Sequence, residues 1–188
     1  MSAPPPITYC SVIADMKDGE AKKLHAHYHD NHYGFPIYDD NELFGRLILE
    51  INQAGLSWET MLKKQHNFRA AFDGFDIKKV AQYGEAERAR LLQDAGIIRN
   101  RLKVDAVIYN AKVLVAMQNE FGSFYKWLEK NHPLTKAEWI KLFKKHFKFV
   151  GGEIVNEFLV STGFLSGAHA PDCPVYAKAL ACNPKWNA

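Results

Sequence analysis

With 188 residues, 47% apolar and 24% charged, the chain is long enough to bury one sizeable core and too apolar to be disordered throughout. A formal net charge of +3 admits a polyanionic partner without demanding one. No apolar run approaches the roughly 18–20 residues of a membrane span, and no charged-then-apolar leader is visible, so a cytoplasmic protein without a membrane partner is expected. Cys10, Cys173 and Cys182 are too few, and odd in number, for a disulfide framework; they point to a reducing compartment, with thiols as ligands or bystanders.

Residues 1–8, with three consecutive prolines, read as a flexible lead-in. The segment His27-Tyr28-His29-Asp30-Asn31-His32-Tyr33-Gly34 concentrates side chains that stack or donate hydrogen bonds. Asp39, with Glu42 three residues on, predicts a capping box before an apolar helix from Leu43 to Ala54. Ser57 and Asp76 are expected caps of helices through Met61 and Leu62 and through Val80. Further helices are expected over Glu85–Asp94 and Arg99–Met117, after Ser123, after a Thr135/Glu138 capping box, and over Glu153–Thr162 ending at Gly163. The nearest approach to a strand, Lys148-Phe149-Val150, is too short for a sheet. The expected fold class is all-α.

Glu50 interrupts the apolar run Leu47-Ile48-Leu49-Glu50-Ile51 and shares a helix face with Leu47 and Ala54. A carboxylate there needs a polar or charged partner. With the Gly55 turn and Trp58 close behind, it describes a pocket for a flat polar or cationic ligand. The plainer alternative is a structural pairing with a core Arg, His or Tyr.

Leu91 to Arg101 reads as a helix, a glycine-centred hairpin and a second helix, with Gly96 as the expected positive-φ residue. The amides after it would favour a phosphate, with Arg99, Arg101 and Lys103 nearby. Cys10, His29, His169 and Cys173 make up a Cys2His2 set, the composition of a closed zinc site tying the N- and C-terminal segments. His25, His27, His32 and Cys182 compete as ligands, and spacing alone does not choose. No nucleophile elbow, phosphate loop or dinucleotide fingerprint is present.

Five segments, YHDNHYG (28–34), LEINQAGLSWETMLKK (49–64), LLQDAGIIRNRLKVDAVIYNA (91–111), FKFVG (147–151) and GAHAPDC (167–173), occur in the order found in one family. The chain resembles the 3-methyladenine DNA glycosylase I family of the helix-hairpin-helix superfamily. That resemblance implies a helical glycosylase domain over 9–175, two helical lobes sharing a base pocket, with a tail at 176–188. It implies hydrolysis of the N-glycosidic bond of N3-methyladenine in alkylated double-stranded DNA, by base flipping and without strand cleavage, with free 3-methyladenine as product.

Residue by residue, the resemblance makes Glu50 and Tyr28 catalytic, and Glu50, Trp58, Tyr28, His25 and Tyr33 base-binding. Leu56 becomes the wedge that enters the duplex, and Gly96, Ile97, Ile98, Arg99 and Lys103 hold DNA. Cys10, His29, His169 and Cys173 become ligands of a structural zinc. His25 stands where the family more often has Tyr, and Tyr33 where Trp is usual. Glu153 and Glu157 add charge to the last helix, which would weaken DNA binding if they faced it. A monomer in a bacterial cytoplasm, at the nucleoid when on DNA, is expected. Two other readings use the same residues: a zinc-containing damage-binding protein with altered catalysis, and a glycosylase for another alkylated purine.

Overall fold

The computed structural model describes residues 8–188, so the expected lead-in lies, apart from Thr8, outside the described residues. The described residues form α1 (Tyr9–Asp15), α2 (Glu20–Asn31), α3 (Asp40–Gln53), α4 (Trp58–Ala71), α5 (Ile77–Ala81), α6 (Glu85–Gln93), α7 (Arg101–Phe121), α8 (Phe124–Asn131), α9 (Lys136–His146), α10 (Gly152–Ser161) and α11 (Pro174–Ala181). Short 3-10 turns lie at Asp73–Phe75 and Lys185–Asn187. No strand occurs among the described residues, and the fold is all-helical as expected. None of these helices is long and apolar enough to cross a membrane.

Two compact units divide the chain. The first comprises the described residues up to Pro36 together with Val160–Ala188, and the second is Ile37–Leu159. In the first unit, Thr8 and Ser11 form a reciprocal capping box that starts α1. The segment expected as a tail contains most of α11 and the last 3-10 turn. Lys178 donates to the Asp30 carbonyl at 2.8 Å and to Asn31 Oδ1 at 3.2 Å, and the Trp186 amide donates to the Gly163 carbonyl at 3.2 Å.

In the second unit α3 is buried on every side from Leu43 through Asn52 rather than along one stripe. Its N-terminus is capped by Asp39, which accepts from the Glu42 amide at 3.0 Å. The return half of the expected box is replaced: the Glu42 carboxylate accepts two hydrogen bonds from Arg69, at 2.9 and 2.7 Å. Ser57, Asp76, Ser123 and Thr135 cap α4, α5, α8 and α9 as expected, the last through a full capping box. Helix α7 starts two residues later than expected, because Asn100 accepts from the Lys103 amide and so takes the N-cap position. Around α8–α10, the rings of Phe124 and Phe143 pack on Phe158 with centroids 6.0 and 5.6 Å away. Each such buried ring contributes about 1.5–3 kcal/mol. Phe149 takes a left-handed φ of 57°, which ends the strand-like stretch noted in the sequence.

Asp40 joins α3 to α8. Its carboxylate accepts from the Phe124 and Tyr125 amides at 2.8 and 3.0 Å, and from Gln118 Nε2 at 2.7 Å. Those amides are the orphan donors of the first turn of α8, where a negative charge also opposes the helix dipole. Asp40→Ala is expected to lower unfolding stability by about 2–3 kcal/mol in urea titration. A loss too small to measure would show that the three bonds are replaced by water at no cost.

Candidate functional site

The second unit carries the buried carboxyl. Glu50 lies in the last turn of α3 with 4% of its surface exposed. Burial pushes its pKa up from 4.5 to about 8; the Arg46 guanidinium pulls it down and the Glu157 carboxylate pushes it up. Burial therefore favours the neutral form of Glu50, and a cation placed against it would favour the ionised form. Arg46, itself buried, sits one helical turn earlier, at the i−4 spacing that could have flagged it. The charge of Glu157 acts on Glu50, while Glu153 is exposed and pairs with Lys136 at 3.6 Å.

Four residues separate α3 from α4. Gly55 takes a φ of 82°, open to glycine without strain, and the Leu56 amide donates to the Gln53 carbonyl at 2.7 Å. The turn leaves Leu56 41% exposed and places Trp58 as the first residue of α4.

The 94–100 connection between α6 and α7 departs from expectation at its glycine. Gly96 does not adopt a positive φ. Close approach favours glycine instead: a Cβ there would lie 2.9 Å from Asp94 Oδ1 and 3.2 Å from Asn67 Cβ, so both side chains would have to shift. The Gly96 amide is already donated to Asp94 Oδ1 at 2.7 Å, and Ile97 is buried with its amide on the Asp94 carbonyl. The amides of Ile98 and Arg99 have no backbone acceptor among the described residues, so the unengaged donors of the connection lie after Ile97 rather than directly after Gly96. Arg99 is exposed.

Lys103 corrects the sequence reading most sharply. It was expected on phosphate, yet it is 4% exposed. Its ammonium donates to the Asn52 and Ala54 carbonyls at 2.8 and 2.7 Å. Burial lowers its pKa.

The first unit gathers the other candidates. Cys10 Sγ, His29 Nε2, His169 Nδ1 and Cys173 Sγ all lie within 4.8 Å of one another. His29 Nε2 is 3.1 Å from His169 Nδ1 and 3.3 and 3.8 Å from the Cys10 and Cys173 sulfurs. A tetrahedral ion with bonds of about 2.0–2.3 Å would set edges of about 3.3–3.8 Å, so the four donors fit around one ion. The outer nitrogens are engaged as ligating imidazoles require: His29 Nδ1 is 2.7 Å from Asp30 Oδ1, and His169 Nε2 is 2.7 Å from the Tyr33 carbonyl. Burial also lowers the pKa of His169, which favours the neutral, metal-binding ring.

His25, Tyr28 and Tyr33 are brought together by a residue that sequence reasoning missed. The Tyr9 hydroxyl lies 2.7 Å from His25 Nδ1, and its ring is 6.2 and 5.1 Å from those of Tyr28 and Tyr33. Only the tertiary contact identifies Tyr9; nothing in its sequence neighbourhood marks it. Tyr33 also helps to orient His169 of the Cys/His cluster, through its carbonyl.

The methyladenine glycosylase family model matches residues 18–141. DNA-3-methyladenine glycosylase 1 of Escherichia coli is 39% identical over 172 residues, spanning 81% of this chain and 91% of that protein. The chain belongs to the methyladenine glycosylase family. The enzyme of Haemophilus influenzae is 36% identical over 172 residues, spanning 81% of this chain and 92% of its own length. Among solved structures, 3-methyladenine DNA glycosylase I from Staphylococcus aureus superposes with a TM-score of 0.75 at 31% identity, covering 87% of this chain and 94% of that one. A variant of 3-methyladenine DNA glycosylase I in complex with 3-methyladenine gives a TM-score of 0.76 at 31% identity, covering 87% and 95%. This family member is a hydrolase of N-glycosyl bonds, a glycosylase of base-excision repair.

Proposed function

We propose that the protein excises N3-methyladenine from alkylated double-stranded DNA, releasing free 3-methyladenine and leaving the strand uncut. Relatives at 36–39% identity are named DNA-3-methyladenine glycosylases, and a structural neighbour is described in complex with 3-methyladenine. The observation that carries the reading in this chain is the desolvated Glu50, one short turn from Trp58.

The target base must leave the stack, at a cost of a few kcal/mol. N3-methylation gives adenine a fixed positive charge and a weak glycosidic bond. The Trp58 ring offers that cation a π face, and Glu50, on ionising, an anion in low dielectric. Neutral adenine draws no such response. The electron pair of the C1′–N9 bond departs with the base, which leaves uncharged. Positive charge passes to the sugar, water adds at C1′ and gives up a proton. Lyase chemistry would need a free lysine amine. The one buried lysine among the described residues, Lys103, has its ammonium held by two carbonyls, which favours a monofunctional enzyme.

In this reading Leu56 fills the space that the extruded base leaves. Helix α6, the 94–100 turn and α7 act as a helix-hairpin-helix, with the Ile98 and Arg99 amides on phosphate. Tyr28, His25 and Tyr33 are assigned base contacts on the resemblance of their motif alone. The Cys10, His29, His169 and Cys173 donors hold zinc as a closed structural site, and the enzyme works as a monomer.

Incubation with N-methylated duplex DNA followed by chromatography of the released bases tests the proposal. Release of 3-methyladenine, with strands intact until alkali treatment, is expected. Binding of zinc and duplex without any released base would overturn it in favour of a damage-binding protein. Release of 7-methylguanine alone would move the specificity to another purine.

A further inference from the structure

Lys103 is a buried cation with no carboxylate partner among the described residues. Desolvating an ammonium is costly, and two neutral carbonyls offset only part of that cost. An apolar side chain there would leave two helix-end carbonyls without this donor, so the two bonds hold the end of α3 in one geometry.

The carbonyls belong to Asn52 and Ala54, at the C-terminal end of α3, where the helix has no amides left to satisfy them. Asn52 is itself locked, its side chain donating to the Ile48 carbonyl at 2.8 Å. Two residues beyond Ala54 stands Leu56, exposed at the apex of the turn, and Trp58 starts α4 two residues later. Lys103 therefore holds the carbonyls at the start of the turn, while Leu56 stands exposed two residues beyond them. At its own end, Lys103 sits in the first turn of α7, whose cap, Asn100, closes the 94–100 connection. One side chain thus ties the segment proposed to hold phosphate to the segment proposed to enter the duplex.

We propose that Lys103 is a positioning residue: its ammonium sets the height and angle of the Leu56 turn against the 94–100 connection, so that gripping the DNA backbone and replacing the extruded base occur in register. The inference rests on the glycosylase reading and on Leu56 as the inserting side chain. It assigns Lys103 no contact with DNA.

The test compares Lys103→Met, Leu56→Ala and the double variant with the wild type. Single-turnover excision from a methylated duplex, binding of free 3-methyladenine, and the salt dependence of affinity for a duplex holding an abasic-site analogue are measured for each. Lys103→Met is expected to slow excision at least tenfold and to leave free-base binding within twofold of wild type, a split that general unfolding would not give. In the double variant the losses should not multiply, because removing Leu56 leaves Lys103 nothing to position. The slope of log affinity against log salt should match that of wild type.

A slope reduced by about one would make Lys103 a phosphate ligand and overturn the inference. So would multiplying losses, or loss of free-base binding alongside excision. A wild type that binds the duplex but excises nothing would count against the glycosylase reading instead. The same non-additivity would then be required of the abasic-duplex affinities.

Discussion

Glu50→Gln is expected to make the protein more stable and nearly inactive. The carboxyl is folded into an apolar site that raises its pKa from 4.5 to about 8. Between those values the folded chain keeps a proton that the unfolded chain has released, so stability falls as pH rises through this window and levels off above about 8. At about 1.4 kcal/mol per pH unit, the displacement corresponds to at most about 5 kcal/mol lost by the wild type between acid and pH 8. Glutamine keeps the shape and has no proton to lose. Urea denaturation at pH 5, 7 and 9 should show the wild type weakening across the series while the variant does not. Parallel pH dependence in the two proteins would mean that Glu50 titrates normally. Excision by the variant should fall about 10²–10³-fold, the scale on which a preorganised electrostatic group contributes. Stability lost at a residue that activity requires is the trade-off expected of a functional site.

Removing the proposed zinc is expected to have the largest structural effect. The donors of α1 (Cys10), α2 (His29) and the 162–173 connection (His169 and Cys173) meet at one point in the first unit. Structural zinc in such sets has an apparent binding free energy of about 10–16 kcal/mol, comparable to or larger than the whole stability of an ordinary domain. Purified protein should contain one zinc per chain. Chelation, or Cys173→Ser, should lower the thermal midpoint by more than about 10 °C and reduce far-UV helical signal. Cys182 is exposed and outside the cluster, so Cys182→Ser should leave both unchanged. Protein without stoichiometric metal and indifferent to chelation would show that the four donors are held by packing alone.

The helices that begin with a strong cap were readable: Asp39, Ser57, Asp76, Ser123 and Thr135 each precede a helix in the structure. Helices α1 and α2 were not: the seven residues of α1 bury only Ile13, too few for a period, and α2 buries His25, Tyr28 and His29 rather than aliphatic side chains. Helix α11 follows a proline at its first position, and its alanine-rich sequence offers no contrast between faces. Glu50 was legible because a carboxylate among aliphatic residues is costly wherever it lies. Lys103 was misread for a related reason. A lysine near a hairpin suggests phosphate, but its stem can be buried and its ammonium can cap a distant helix, which local sequence cannot reveal. At Gly96 the residue type was informative and its cause was not: a neighbouring aspartate and asparagine, not a positive φ, crowd the position.

The claim that a desolvated carboxyl at Glu50 selects a cationic base is tested most directly by the pH dependence of excision. Single-turnover release of 3-methyladenine from methylated duplex should be measured from pH 6 to 9 for wild type and Glu50→Gln. The substrate cation is fixed, so the enzyme must shed the Glu50 proton to meet it. With subsaturating enzyme, the wild-type rate should rise up to tenfold per pH unit and level off near pH 8, and the residual rate of the variant should be flat. A flat wild-type profile, or a variant that keeps the rising limb, would contradict the account.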